Sequence, residues 1–233
     1  MSLPKIDLPI NEMELPSTGK KVRYRPFTVK EEKLLLVAAE TKDPASELLA
    51  VKQVVNNCLL DTDINEISML DLELIFLKIR ANSISNVTEF MLVDPDTKEQ
   101  VKVDFDIDEL EVIRDPAHSE EIQINDDLVL YLKHPTIDDF TKIVGMDPND
   151  PLVNYTIMVS CLKSIATSDE VHDFKDYSEQ EIADFMDNMS ADIIRKITRF
   201  FETMPKLRKE LKYTNSNGDD KTFVIEGMRS FFT

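Results

Sequence analysis

The chain has little glycine and little cysteine, and it has no tryptophan. Only four of its 233 residues are glycine, whereas backbone cradles for phosphate groups depend on glycine-rich loops. Its two cysteines, Cys58 and Cys161, are too few for a disulfide framework or a thiolate metal site. We therefore expect no nucleotide site, no metal centre and no other cofactor. The cysteine usage fits a reducing cytoplasm.

Positive charge is also scarce. The chain has 27 Lys and Arg residues against 45 Asp and Glu, which gives a net charge of −18. Nucleic acids and anionic membranes bind concentrated basic surfaces, so we expect neither of them as a partner. A basic protein partner fits this balance better.

Long apolar runs are absent as well. No stretch of 18 apolar residues could span a bilayer, and the first residues, "MSLPKIDLPINEMELPS", lack the pattern of a signal peptide. We therefore expect a protein that begins soluble inside a cell. A hydrophobic content of 42% is enough for the core of one large domain or two small ones.

The first part of the chain changes from a proline-rich segment to a helix. Three prolines within residues 1–20 disfavour regular structure, so this segment is predicted to be an extended arm. The following "KKVRYRPF" is typical of a short strand. Thr28 and Glu31 have the spacing of a capping box, which predicts a helix that runs to about Thr41.

Two more helices and a hairpin are predicted next. Asp43-Pro44 starts a helix whose apolar face includes Cys58, so we expect this thiol in the core. Ser68 starts another helix, with Ile75 on its buried side. Alternating polarity around a Pro-Asp turn predicts a hairpin over residues 89–105.

The second half repeats this order of elements. "LVLYLKHPT" is typical of a strand, Asp147-Pro148 starts a helix that reaches Cys161, Ser190 starts another helix, and a hairpin turns at Asn217-Gly218. A constant offset relates three pairs of positions in the two halves, which indicates a duplication: Ser68 and Ser190, Ile75 and Ile197, Val103 and Ile225.

These patterns predict an α+β, mainly helical fold of two related helical modules, each with a short strand and a projecting β-hairpin. The predicted segments are an extended arm over 1–20, a first helical module with its hairpin over 21–105, an acidic connector over 106–125, and a second helical module with a hairpin and an apolar C-terminal tail over 126–233.

Catalytic candidates are weak. His118, His134 and His172 are scattered among acidic loops without ligand spacing, so solvated loop histidines are favoured over a zinc or catalytic role. Adjacent carboxylates such as Asp138 and Asp139 diverge on a helix or strand, and this disfavours acid–base pairs. We expect no catalytic residue, no metal ligand and no enzymatic activity.

Two segments are candidates for partner binding. The strand edge at 22–27 could pair with another chain, and its flanking cations would favour an acidic partner, such as a second copy of this chain. Equally, the cations could pair with carboxylates of their own chain. The apolar tail either folds back or docks on a partner. The candidate partner-binding residues are Arg23, Arg25, Phe27, Lys30, Met228, Phe231 and Phe232.

One stretch of the sequence carries a family resemblance. "RYRPFTVKEEKLLL", with the Asp-Pro helix start, the Cys58 helix and the C-terminal "FVIEGMRSFF", resembles the baseplate hub subunits, or hub assembly proteins, of T-even-like contractile-tailed bacteriophages. Residues 23–36 are the most specific part.

The resemblance implies a non-enzymatic structural or assembly protein of the tail baseplate hub, made late in infection. Its partners would be other hub or tail proteins, with a homo-oligomer as a further option. It would act in the host cytoplasm during assembly and could remain in the virion tail baseplate. The alternative is a tail assembly chaperone, which binds a tape-measure or hub protein transiently and is absent from the mature virion.

Overall fold

Helices and strands alternate along the part of the chain that the computed structural model describes, residues 6–147 and 149–226, with only the backbone at Phe90. The helices are α1 (Val29–Thr41), α2 (Pro44–Cys58), α3 (Met69–Ser83), α4 (Ile137–Thr141), α5 (Pro151–Ser160), α6 (Glu179–Asp187) and α7 (Ala191–Thr203). The strands are β1 (Asn11–Glu14), β2 (Lys21–Tyr24), β3 (Val87–Val93), β4 (Gln100–Asp106), β5 (Glu111–Ile113), β6 (Glu121–Asn125), β7 (Leu128–Leu132), β8 (Leu162–Ala166), β9 (Val171–Asp173), β10 (Lys206–Thr214) and β11 (Asp220–Glu226).

The prediction of a mainly helical fold is wrong. The strands form four antiparallel sheets, ordered β1-β2, β11-β10-β5, β3-β4 and β6-β7-β8-β9, so the fold is α+β with extensive sheet. Two of the unpredicted strands show the reason. β8 follows α5 almost directly, so one apolar stretch of sequence covers both the helix and the strand. β6 lies in the predicted acidic connector, where the surrounding charged residues obscure its alternation of polar and apolar residues.

The predicted helix starts are mostly confirmed. Side chains cap α1, α2, α3 and α7 where the sequence places the caps: Thr28, Asp43, Ser68 and Ser190. Ser178 caps α6. The start of α5 is different, since Asp150 caps it and Pro151 is its first residue. The predicted start at Asp147-Pro148 is therefore wrong, because the helix begins at the next Asp-Pro pair in the sequence. Pro148 itself lies outside the described residues.

Both predicted hairpins form, as β3–β4 and β10–β11. The turn of the second hairpin is longer than the predicted two residues. It spans Asn215–Asp219, where the Asn215 amide donates to the Asp219 carbonyl at 3.0 Å. Gly218 has φ +86°, a conformation that glycine adopts without steric cost.

The chain divides into two compact units, and their boundaries differ from those drawn on the sequence. Unit 1 contains residues up to Ile113 and from Pro205 onward, whereas unit 2 contains Arg114–Met204. The second hairpin thus belongs to unit 1, where β10 pairs with both β11 and β5. Unit 2 is an insertion in the sequence of unit 1, between β5 and β10.

Unit 1 has a core built from α3 and its two hairpins. Its buried side chains come from α3, β3, β4, β10 and β11 and include Leu77, Leu92, Phe105, Leu207 and Ile225. Polar contacts also join the hairpins: the Tyr213 hydroxyl donates to Asp94 Oδ2 at 2.7 Å, and Lys221 lies 2.6 Å from Asp96. Within this unit the hairpins therefore pack together and do not project.

Part of the predicted N-terminal arm is also packed in unit 1. Residues Asn11–Glu14 form β1, which pairs with β2, and Leu15 is buried. The Ser17 amide donates to Asp71 Oδ1 at 3.0 Å. Ordered pairing is available to this segment because its prolines lie outside the four residues of β1.

Unit 2 packs helices against its four-stranded sheet. Leu130, Leu132 and Leu162 from the sheet meet Ile197 and Phe200 from α7 in one apolar cluster. The burial of Ile197 follows the prediction for the helix that starts at Ser190. None of the described helices, in either unit, has the length and apolar character needed to cross a membrane.

Candidate functional site

Arg23 and Arg25, the first two candidate residues, flank Tyr24 at the end of β2. Arg23 makes a bidentate ion pair with Asp61, with Nε to Oδ2 at 2.5 Å and Nη2 to Oδ1 at 2.9 Å. Hydrogen bonding from Arg23 lowers the pKa of Asp61. Arg23 thus follows the second of the two expectations, in which the cations pair with carboxylates of their own chain.

Arg25 joins β2 to the helices that follow. Its Nη2 donates to Glu31 Oε1 at 3.1 Å and to the Asn57 carbonyl at 2.9 Å, while its amide donates to the Cys58 carbonyl at 3.0 Å. Glu31 is buried, and burial alone would raise its pKa. Hydrogen bonds from Thr28 and Arg25 outweigh burial and lower this pKa to about 2. Arg25 therefore compensates a buried carboxylate.

The prediction of a free strand edge at 22–27 is wrong. On one side β2 pairs with β1. On the other side Tyr24 bridges to Leu59, and the Leu60 amide donates to the Arg23 carbonyl at 3.0 Å. Both edges of β2 are therefore used within the chain, because the segment after α2 returns alongside it.

The other candidate residues have different surroundings. Phe27 is half-buried, and its amide donates to Ser83 Oγ at 2.9 Å. Lys30 is exposed in the first turn of α1. Met228, Phe231 and Phe232 lie outside the described residues. A role in partner binding stays a prediction for all seven candidates.

Unit 2 repeats the arrangement around Arg25. Lys133 Nζ lies 3.2 Å from Asp139 Oδ2, and the Lys133 amide donates to the Cys161 carbonyl at 2.8 Å. Thr136 forms a capping box with Asp139, as Thr28 does with Glu31. The two units thus share a local motif: a strand, a cation, a buried proline, a threonine cap and a buried carboxylate.

A second local similarity between the units bears on which residues correspond in the predicted duplication. In unit 1 a 3-10 turn capped by Asp63 precedes the Ser68 cap, and in unit 2 a 3-10 turn capped by Asp173 precedes the Ser178 cap. Ser178 thus has the same local surroundings as Ser68, and this similarity favours pairing Ser68 with Ser178 over the predicted pairing with Ser190.

Both cysteines occupy equivalent, fully buried positions in this motif. Burial raises the pKa of Cys58 to about 11 and that of Cys161 to about 12. Both thiols are therefore protonated at neutral pH and poor nucleophiles. The prediction that Cys58 is a core residue is confirmed.

Two histidines come together in unit 2, so the prediction of scattered loop histidines is wrong for them. Nε2 of His118 lies 3.1 Å from Nε2 of His134, whose side chain is only 10% exposed. Both rings pack on Phe200, and Glu120 Oε1 is 3.8 Å from His134 Nε2. Sequence spacing gives no signal for this contact, because the fold creates it.

Thr203 of α7 extends the contact between the two histidines. The Thr203 hydroxyl donates to backbone carbonyls of α7 and therefore accepts from His118 Nδ1, at 3.1 Å. When both rings are neutral, His118 presents its lone pair at Nε2 and His134 donates to it. Within the described ranges no group of three or more His, Cys, Asp or Glu side chains is arranged to hold a metal ion.

An open pocket in unit 2 lies beside the third histidine. Its lining combines His172, Tyr177 and Glu181 with apolar side chains of β8, the 3-10 turn and α6. His172 Nδ1 is 2.7 Å from the Tyr177 hydroxyl, and Glu181 is engaged in the capping box of α6. Each of these three polar groups therefore already has a hydrogen-bond partner within unit 2.

Comparison with protein-family models gives one match that spans both units. Residues 9–233 match the family described as T4 bacteriophage base plate protein. The protein is thus of the class that builds phage tail baseplates, with a structural role there. The chain belongs to the T4 bacteriophage base plate protein family. No curated protein and no solved structure matches it significantly.

Proposed function

We propose that the chain is a non-enzymatic structural and assembly protein of the baseplate hub, which acts by binding other hub or tail proteins. Family membership supports the baseplate role. Action through protein contact is supported by an exposed apolar surface on the β3–β4 hairpin of unit 1. We call Val87, Met91 and Val93 the hairpin surface.

The hairpin surface lies on one side of β3. Its three side chains are 50%, 53% and 56% exposed, whereas Leu92, on the opposite side, is buried in the core of unit 1. Large apolar side chains grouped in this way on a surface commonly mark a binding site. Glu89 lies on the same side, between Val87 and Met91, and pairs with Lys102 of β4. The sequence itself shows large apolar residues at positions of both parities along β3.

The backbone of β3 adds to this surface. Among the described residues β3 has one strand neighbour, β4, so no described strand pairs with its other edge. An extended segment of another protein could add to this edge and cover Val87, Met91 and Val93 with its own apolar side chains. We propose an extended apolar segment of a hub protein as the occupant.

The test is a double substitution, Met91→Glu with Val93→Glu, in a phage that depends on this chain. Both positions are exposed, so we expect a folded protein with an unchanged melting temperature. Two buried, unpaired charges at the interface would reduce the yield of assembled baseplates at least about tenfold. Yield is measured by sedimentation and electron microscopy of infected-cell lysates.

The matched control is Val171→Glu, an equally apolar side chain that is 69% exposed in unit 2. It should leave the baseplate yield unchanged. A folded double variant that assembles baseplates as well as the control does would refute the role of the hairpin surface.

The alternative, a chaperone that leaves before maturation, predicts the same dependence of assembly on the surface. It differs in location, since a chaperone acts only in the host cytoplasm, whereas a structural subunit is retained in the virion tail baseplate.

A further inference from the structure

Helix α1 has apolar side chains on two opposite sides. One side, which includes the buried Ala38, packs against α2. The other side carries Val29, Leu36 and Val37, which are 65%, 59% and 62% exposed. Large apolar side chains that are grouped and exposed on one side of a helix commonly mark an interaction site.

Two charged residues border these side chains. Lys33 and Glu40 are both exposed, and the spacing of 33, 36, 37 and 40 places them on the same side of the helix as Leu36 and Val37. We call Val29, Lys33, Leu36, Val37 and Glu40 the outer face of α1. Lys33 and Glu40 make no ion pair within the described part of the chain.

We propose that a second copy of this chain covers the outer face of α1, through an antiparallel α1–α1 pair about a two-fold axis. The axis passes between Leu36 and Val37. Leu36 of each copy then lies opposite Val37 of the second copy. Lys33 lies opposite Glu40, once on each side of the apolar centre.

The order of the charged residues along the outer face of α1 favours a second copy of this chain as the partner. A two-fold interface requires a surface that is complementary to itself. Lys33 precedes the apolar centre and Glu40 follows it, so reversing the direction of one helix brings opposite charges together twice. Parallel pairing would instead oppose Lys33 to Lys33 and Glu40 to Glu40.

The helix length sets the strength of the contact. A helix of 13 residues is about 20 Å long, and a single helix pair of this length buries less surface than a standard protein interface. We therefore expect a weak dimer, with a dissociation constant in the micromolar range or above. Other contacts that hold two copies in one assembly would raise their effective concentration.

The outer face of α1 is on a different element from the hairpin surface. Failure of self-association would therefore leave the hub proposal intact, and the reverse is also true.

Charge exchange tests the pairing. Sedimentation equilibrium of the full chain at low salt measures self-association of the wild type, of Lys33→Glu, of Glu40→Lys and of the double variant. Each single variant should dimerise about three- to tenfold more weakly, because it opposes like charges twice. The double variant should recover the wild-type constant, and an equimolar mixture of the single variants should form the heterodimer. Circular dichroism checks that all the variants are folded.

Three results would overturn the proposal. The first is a wild-type protein that stays monomeric up to millimolar concentration. This result would overturn the proposal even if another baseplate protein bound the outer face of α1. The second is a dimer that the single substitutions do not weaken. The third is a double variant, or a mixture, that fails to recover association although each protein is folded.

Discussion

At the scale of single residues, two buried glutamates of unit 1 have opposite electrostatic environments. Glu31 is ionised, because Thr28 and Arg25 donate to it and hold its pKa at about 2. Glu73 in α3 is only 4% exposed, and its Oε1 has no hydrogen-bond partner. Burial raises the pKa of Glu73 to about 8. At neutral pH this side chain is mostly protonated.

Glu73 makes the stability of the protein depend on pH. Its pKa is 4.5 in the unfolded chain and about 8 in the folded chain. Between these values the folded state holds a proton that the unfolded state has lost, so stability falls as pH rises through this window. Glu73→Gln should remove this dependence and stabilise the protein at pH 8 by on the order of a few kcal/mol. Urea unfolding at pH 5 and pH 8 measures the effect.

Glu31→Gln is the matched control with the opposite sign. The folded-state pKa of Glu31 is below its unfolded value, so its contribution is present above pH 4.5 and is lost as pH falls toward 2. This variant should be less stable than the wild type at both pH 5 and pH 8. A Glu73→Gln protein that is destabilised at pH 8 would show that the buried carboxylate is ionised.

At the scale of elements, the sequence predicts features that depend on neighbouring residues, whereas contacts between distant segments arise only in the fold. Caps such as Thr28 and Ser190 act within one helical turn, so the sequence is sufficient to place them. Strands such as β8 depend on pairing with a distant segment, and their apolar sequence resembles a helix. The pairing of Arg23 with Asp61 and the contact of His118 with His134 likewise depend on the fold. From the sequence, an ion pair of Arg23 within the chain is only one of two alternatives, and the contact between the histidines is not predicted.

The end of α1 gives a prediction at this scale. Lys42 ends the helix with φ 54° and ψ 26°, in the left-handed region. A side chain with a Cβ is strained there, whereas glycine is not. Lys42→Gly should therefore stabilise the protein by about 0.5–1 kcal/mol, even though glycine is more flexible in the unfolded chain. Thermal unfolding measures the change.

A glycine inside the same helix is the control. Lys33→Gly should destabilise the protein by about 1 kcal/mol, because glycine has a low helix propensity. Equal destabilisation by both substitutions would mean that the Lys42 conformation is not strained.

At the scale of the whole molecule, the chain consists of one unit interrupted in sequence by another. Each unit has its own core, and each contains the same strand, cation, proline and cap motif. The hairpin surface and the outer face of α1 both belong to unit 1. The repeated motif stabilises each unit internally, so it is separate from the surfaces that we propose for binding.

The central claim is that this family member is a structural component of the hub. Quantitative mass spectrometry of purified phage tails, beside assembly intermediates from infected cells, tests it most directly. For a structural component, we expect the chain in mature tails in fixed, whole-number proportion to other hub proteins. Presence in the intermediates with absence from mature tails would contradict a structural role and establish the chaperone alternative.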